Sequence, residues 1–362
     1  MNNRIGVSNV KNLKIGSDCF FYAISANLEY LDKLWISLYY TNGAFLFSQD
    51  TFGDIQTTKE ISEYFSPDNM LIFAEKPKSI WRDHYDSYIA YNLKKVGVYD
   101  CIKSVRYSTL FDIEKIKRYT DNNICLLIPI IVSDLRDEYA KISRVLPQAD
   151  RTLHFICIMD INLANRTVHI ADPYFRVNGI LPFESIINAA ERTHSMDSNQ
   201  SLYYIASELL PEYGKNNNPF TWCFDMYKTI TVEIENVQYY SGYTAAESVA
   251  DNISQIVKDY YSIYGKFASQ FLSYQLTPII RQKNSIVVLL EALEERYKDQ
   301  IPLGLISVLK HNSTLWSKLD FLLDTIYLRN QNIIQEVSRI QDIFREICEN
   351  ERQVYKIVCY RN

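Results

Sequence analysis

LHFICIMDINLANRTVHIADPYF, residues 153–175, decides how the first half of this chain is read. Leu153–Asp160 is rich in β-formers, Asn162–Arg166 is a polar turn, and Thr167–Ala171 returns to β-formers. The stretch therefore predicts an antiparallel hairpin. Pro173 has no N–H to offer a ladder, so Asp172-Pro173 ends the second strand. His154 opens the outgoing strand and Asp172 closes the returning one, 18 residues on. If both face one side of the sheet, such a hairpin brings their side chains together.

Upstream, Ile124–Val132 (ICLLIPIIV) is a continuous apolar run of strand length, read as a buried strand. Far earlier, DCFFYAISAN (18–27) reads as a helix start: Ser17 or Asp18 caps it, and Phe20, Ala23, Ile24 and Asn27 recur at helical spacing. That places Cys19 at the beginning of a helix, 135 residues before His154. Downstream, Pro211–Pro219 (PEYGKNNNP) is a polar cluster bracketed by prolines, the linker signal of the chain. Beyond it, Thr244–Leu276, Ser285–Tyr297, Ile301–Lys310 and Ser313–Tyr355 carry apolar residues at three- and four-residue spacing, which predicts a helical bundle. Its last stretch, Ile333–Tyr355, sets Ile334, Val337, Ile340, Ile343, Phe344 and Ile347 on one face.

A chain of 362 residues exceeds what one core usually holds. The expected architecture is an α+β domain over 1–210, a linker over 211–220 and an all-α domain over 221–362. Net charge is −5 with no Lys/Arg block, which argues against a nucleic-acid partner. The longest apolar runs fall far short of the roughly 20 residues of a membrane span, and the first residues lack a signal-peptide apolar region. Seven cysteines without a CxxC suggest neither a zinc site nor a disulfide framework, and a cytoplasmic protein is expected. No P-loop, GxGxxG after a strand, or HExxH occurs, so no metal or nucleotide cofactor is expected. The 28 tyrosines are spread along the whole chain and by themselves mark no pocket.

A cysteine acyl-transfer site needs a nucleophile that becomes a thiolate, and a helix N-terminus favours that form. It needs an imidazole to take and return a proton, and a third polar group to orient the ring. Cys19, His154 and Asp172 supply these in order. Each has a plainer reading alone: a buried Cys as a small hydrophobe, a satisfied core His, an Asp that forms a turn. Cys101, Cys125 and Cys157, in apolar runs, fit the plain reading. His169 is the nearest rival base but sits within the returning strand, facing out or packing across the sheet. His84 is read as part of a surface helix.

Cys19–Asn27, the HFICIMDIN strand and the ADPYF strand end together resemble the papain-like superfamily, in the branch that includes double-glycine leader peptidases. The closer similarity is to the butirosin-biosynthesis acyltransferase H family, and to the cysteine-protease homologue that forms amide bonds in closthioamide assembly. The resemblance implies a papain-like fold for the first domain. It also implies acyl transfer from a phosphopantetheinyl carrier-protein thioester to a small amine, as in antibiotic biosynthesis, with no other cofactor. Cys19 would be nucleophile, His154 general base and acid, and Asp172 the orienting group. Related peptidases place Gln six residues before the Cys to hold the oxyanion; here that position is Leu13, and Asn12 is the candidate replacement. The Gly that commonly follows the peptidase Cys is Phe20. Phe20, Tyr22 and Tyr174 are candidates to line the pocket. Two other functions are weighed beside the transferase: a cysteine peptidase or thioester hydrolase with the same triad, and a non-catalytic binding module.

Overall fold

The computed structural model describes residues 6–16, 18–41, 46–47, 93–94, 96–147, 153–196, 198, 200–214, 218–234 and 237–360. Ser17 and His84 lie outside the described residues. The chain divides into two compact units, Met1–Ser37 with Asn92–Lys215, and Leu38–Tyr91 with Asn216–Asn362. The boundary near 215 falls in the expected linker, but the first domain is not the continuous 1–210: 38–91 groups with the second unit. Of that insert, β1 (Leu46–Phe47) is described, and it pairs with a strand of the second unit.

In the first unit, helix α1 (Cys19–Tyr30) is followed by β2 (Ile102–Arg106), α2 (Ile113–Asp121), β3 (Leu126–Ile131) and the short α3 (Arg136–Tyr139). Then come β4 (Leu153–Asn162), β5 (Thr167–Asp172), β6 (Val177–Pro182), α4 (Phe183–Met196) and β7 (Ser201–Ile205). The six strands form one antiparallel sheet in the order β2-β7-β3-β4-β5-β6. All of β3 is buried, which is why its sequence is uninterrupted apolar rather than alternating. Pro129 is tolerated there because β7 pairs with β3 only at Leu126 and Leu127, so no ladder bond is asked of the missing N–H on that side.

The β4–β5 hairpin has the predicted antiparallel register, with one irregularity between Ile158 and Asp160. Ile158 faces Ile170 and Cys157 faces Ala171. His154, Ile156 and Ile158 therefore share a face with Ile170 and Asp172, and Phe155 points the other way. Phe20 of α1 packs edge-on against Phe155, with centroids 5.0 Å apart, and against Tyr203 at 5.4 Å.

The second unit is not purely helical. After α5 (Pro219–Lys228), strands β8 (Thr231–Ile234) and β9 (Val237–Ser241) make a hairpin, and with β1 a three-stranded antiparallel sheet. Pro219, expected in the linker, is instead the first residue of α5, capped by the Asn218 side chain. Four long helices follow: α6 (Tyr243–Tyr264), α7 (Ala268–Tyr297), α8 (Leu305–Leu328) and α9 (Val337–Cys359). Gly265, with φ +53°, ends α6 where the spacing alone suggested continuity to Leu276. Conversely, α8 runs unbroken through 310–313. Ile333–Glu336 is a 3-10 turn, so Ile334 falls off the apolar face and is exposed, while Ile340, Ile343, Phe344 and Ile347 are buried as the period requires. Among the described residues no helix is long and apolar enough to cross a membrane.

Candidate active site

Cys19 is the first residue of α1. The Asp18 side chain caps the helix, its Oδ1 accepting from the N–H of Phe20 (2.9 Å) and of Phe21 (3.1 Å), and its carbonyl takes the N–H of Tyr22. In that first turn the Cys19 N–H is left without an acceptor among the described residues. The chain reaches Asp18 through Gly16, whose φ is +134° and where an added Cβ would lie 2.4 Å from that of Phe21. Only glycine lets the approach pass so close to the helix it begins.

His154 is 5% exposed and Asp172 is fully buried. Nε2 of His154 lies 3.0 Å from both Oδ1 and Oδ2 of Asp172, so Nε2 carries the proton shared with the carboxylate. Nδ1 is the ring nitrogen not engaged by Asp172, and the Cys19 side chain is near enough to the imidazole to raise its titration. Burial alone pushes the imidazole down, but the charge of Asp172, its hydrogen bond and the Cys19 sulfur push harder the other way. The net is a rise to about 10. The three residues named from the sequence are thus brought to one place, His154 hydrogen-bonded to Asp172 and acted on by the Cys19 side chain.

Asp172 is held more firmly than its place in a turn suggested. Oδ1 accepts the backbone N–H groups of Tyr174 (3.1 Å) and Phe175 (3.3 Å), the Asx-type turn that Asp-Pro invites. Oδ2 accepts the hydroxyl of Tyr139 at 2.8 Å. Tyr139, in the charged run RDEY of α3, was not among the sequence candidates; the signal available was only that a buried tyrosine hydroxyl needs a partner.

Asn12 has another task than the oxyanion role. Its Nδ2 donates to the carbonyls of Asp172 (3.2 Å) and Val177 (2.6 Å), which uses both amide hydrogens and fixes the amide's orientation, since Oδ1 there would meet two acceptors. The backbone N–H groups of Lys11 and Asn12 donate to the carboxylate of Glu29 on α1, and Asn178 donates to the carbonyl of Val10. Residues 10–12 therefore strap the β5–β6 end to α1. Asn12 adopts φ +60°, a conformation asparagine accepts more readily than most residues.

The pocket candidates divide. Tyr174 lies edge-on to the imidazole at 5.4 Å and stacks on buried Tyr22 at 6.3 Å, with the Lys14 ammonium 4.7 Å from its ring centre. Phe175 adds a second edge-on contact to His154 at 5.2 Å. Phe20 has Phe21, Phe155 and Tyr203 as described ring partners, none of them in the triad. His169 bonds across the sheet to Asn178 at 2.6 Å, so it serves the strap.

All seven cysteines are free, and only Cys19 and Cys359 are not buried. Burial raises the thiols of Cys101, Cys348 and Cys223, the last to about 12; that of Cys157 rises through its hydrogen bond with Cys125 and through burial. Such thiols make poor nucleophiles. Among the described residues no cluster of three or more His, Cys, Asp or Glu could hold a metal ion. No protein-family model and no curated protein matches the chain.

Proposed function

We propose that the protein is a papain-like, cysteine-dependent acyltransferase that forms amides from a carrier-protein thioester and an amine, in the cytoplasm. The observation that carries this reading is the arrangement itself: a half-exposed Cys at a capped helix start, near enough to shift the titration of an imidazole that two oxygens of a buried carboxylate hold. In the first half-reaction the Cys19 thiolate attacks the thioester carbonyl carbon, and the tetrahedral oxyanion forms beside the free Cys19 N–H. The C–S bond to the phosphopantetheine sulfur breaks, and the leaving thiolate takes the proton from His154 Nδ1. In the second, an amine as free base attacks the acyl-Cys19 carbonyl, His154 accepts the amine proton, and the Cys19 thiolate departs as the amide is released. Asp172 keeps the ring oriented and its positive form stable throughout. Carrier and amine come from the family resemblance.

Intact-protein mass spectrometry after mixing with acyl-carrier thioesters tests the first half-reaction: one acyl group should appear on wild type and none on Cys19→Ala. Adding small primary amines tests the second, and should shorten the acyl-enzyme lifetime with amide as product. Equal lifetimes across an amine panel, with free acid as sole product, would assign the site to hydrolysis instead. Absence of any acyl adduct, with Cys19 no more reactive to iodoacetamide than the buried cysteines, would leave the binding-module reading.

A further inference from the structure

We propose that Tyr139 is a positioning residue of this site, its hydroxyl fixing the Asp172 carboxylate and setting how strongly that carboxylate pulls on His154. The proposal rests on the triad reading above for its meaning in catalysis, but its geometry stands by itself. Asp172 is fully buried, so each carboxylate oxygen depends on protein donors. Among the described residues, Oδ1 has two backbone N–H groups besides His154, and Oδ2 has only Tyr139 besides His154. Tyr139 is itself fully buried and lies edge-on to Phe175 at 5.7 Å. Four residues on, Ser143 donates to the carbonyl of Phe175 at 2.6 Å. The 136–143 segment is thus fastened at two points to the turn that carries Asp172.

Two consequences follow for the ring. With Oδ2 anchored, the carboxylate cannot rotate about its last bond without losing a buried hydrogen bond, and both oxygens stay 3.0 Å from Nε2. The hydroxyl also draws charge from Oδ2 that would otherwise act on the imidazole alone. Burial, and next the Asp172 charge, push the Tyr139 phenol well above its ordinary range, so it remains a donor wherever the enzyme could work. The other titratable groups facing the pair are Cys19 from α1, Tyr174 from the β5–β6 turn, and Lys14 over the Tyr174 ring.

The test is the His154 titration followed by NMR in the full-length protein with labelled imidazoles. There are five histidines, and His154 is assigned by the signal lost in His154→Gln. Tyr139→Phe keeps the ring and removes the donor; the His154 midpoint should rise by about half a unit or more, because an undispersed carboxylate holds the imidazolium more tightly. Site-specific 3-fluorotyrosine at 139, a more acidic donor, should move it down. It also carries the test if Tyr139→Phe does not fold. Opposite shifts are the signature of a positioning role, which packing alone would not produce. An unmoved midpoint in the folded variants, or shifts in the same direction, overturns the proposal. A separate arm addresses the triad: if His154→Gln leaves Cys19 alkylation unchanged, the acyltransferase reading fails whatever Tyr139 does to His154.

Discussion

Each unit encloses a buried acid–base pair, His154 with Asp172 in the first and Lys283 with Glu351 in the second, and the two are built differently. Asp172 receives donors on both oxygens: His154, the Tyr139 hydroxyl and the N–H groups of Tyr174 and Phe175. Oε1 of Glu351 takes both the Lys283 ammonium and the Asn312 amide (2.6 Å), while Oε2 has no hydrogen-bond partner among the described residues. The titrations part accordingly. His154 is pushed up, because its partners outweigh burial. Lys283 is pushed down, because burial outweighs the charge and hydrogen bond of Glu351. Lys283 also lies near the rings of Tyr227 and Trp316 and is 1% exposed, whereas His154 feels the half-exposed side chain of Cys19. Burial therefore does not by itself set the direction in which a pair titrates. A complete set of donors sustains the charge of the first pair, which the proposed function would put to work on Cys19.

The largest expected effect breaks this contrast if it is absent. Cys19→Ala should form no acyl-enzyme and His154→Ala should slow its formation by about 10⁴-fold or more, both with unchanged circular dichroism, and Asp172→Asn should leave a residual rate. Near wild-type acylation in Cys19→Ala would make the first pair as purely structural as the second.

Next in size is the second pair. Glu351→Ala strands a buried ammonium and should cost about 3–5 kcal/mol in urea unfolding. Replacing both partners, as Lys283→Met with Glu351→Leu, should recover most of that. Alkylation of Cys19 should be unaffected in either variant while it is folded; a stability loss as large in the double variant would mean the ion pair itself holds the helices.

The pH dependence of stability distinguishes the pairs by sign. His154 has its ordinary value near 6.5 when unfolded and about 10 when folded. Its contribution is full below 6.5 and is lost as pH rises through 10, on the order of a few kcal/mol. Lys283 is lowered on folding, so above its folded value the unfolded chain binds more protons and stability gains as pH rises toward 10.5. Unfolding free energies from pH 7 to 10 should fall less steeply in His154→Gln than in wild type, and more steeply in Lys283→Met. Parallel curves for all three proteins would remove the titration contrast. The acyl-transfer rate should likewise fall on the alkaline side, near pH 10, as the imidazolium is lost.

The smallest effect concerns the frame of the first pair rather than the pair. Asp18→Ala removes the α1 cap and should cost about 1 kcal/mol, with Asp18→Asn retaining most of it. A loss no greater than that of an exposed surface substitution would show that the cap does not hold the Cys19 turn.

Several of these features could be read without coordinates. The β-formers of 153–160, the polar turn and Asp172-Pro173 specify the hairpin, because strand propensity and proline chemistry are local. Asp18 ahead of Cys19 specifies the helix start for the same reason. The hairpin of β8 and β9 escaped because four- and five-residue strands beside long amphipathic helices leave a weak periodic signal. The pairing of β1 with β9 escaped because a two-residue strand carries no mark of its distant partner.

The sequence by itself determined the β4–β5 hairpin, the start of α1 and the order of Cys19, His154 and Asp172, since caps, strand propensity and turn residues act over a few positions. Only the tertiary structure decided which partners complete them. A buried carboxylate must find donors wherever packing puts them, and for Asp172 they came from Tyr139, 33 residues upstream, and from its own turn. The same constraint turned Asn12 from a candidate oxyanion donor into a strap, because two carbonyls at the β5–β6 end claimed its amide hydrogens. Local chemistry is written in neighbours; satisfaction of buried polar groups depends on residues that only the fold makes neighbours.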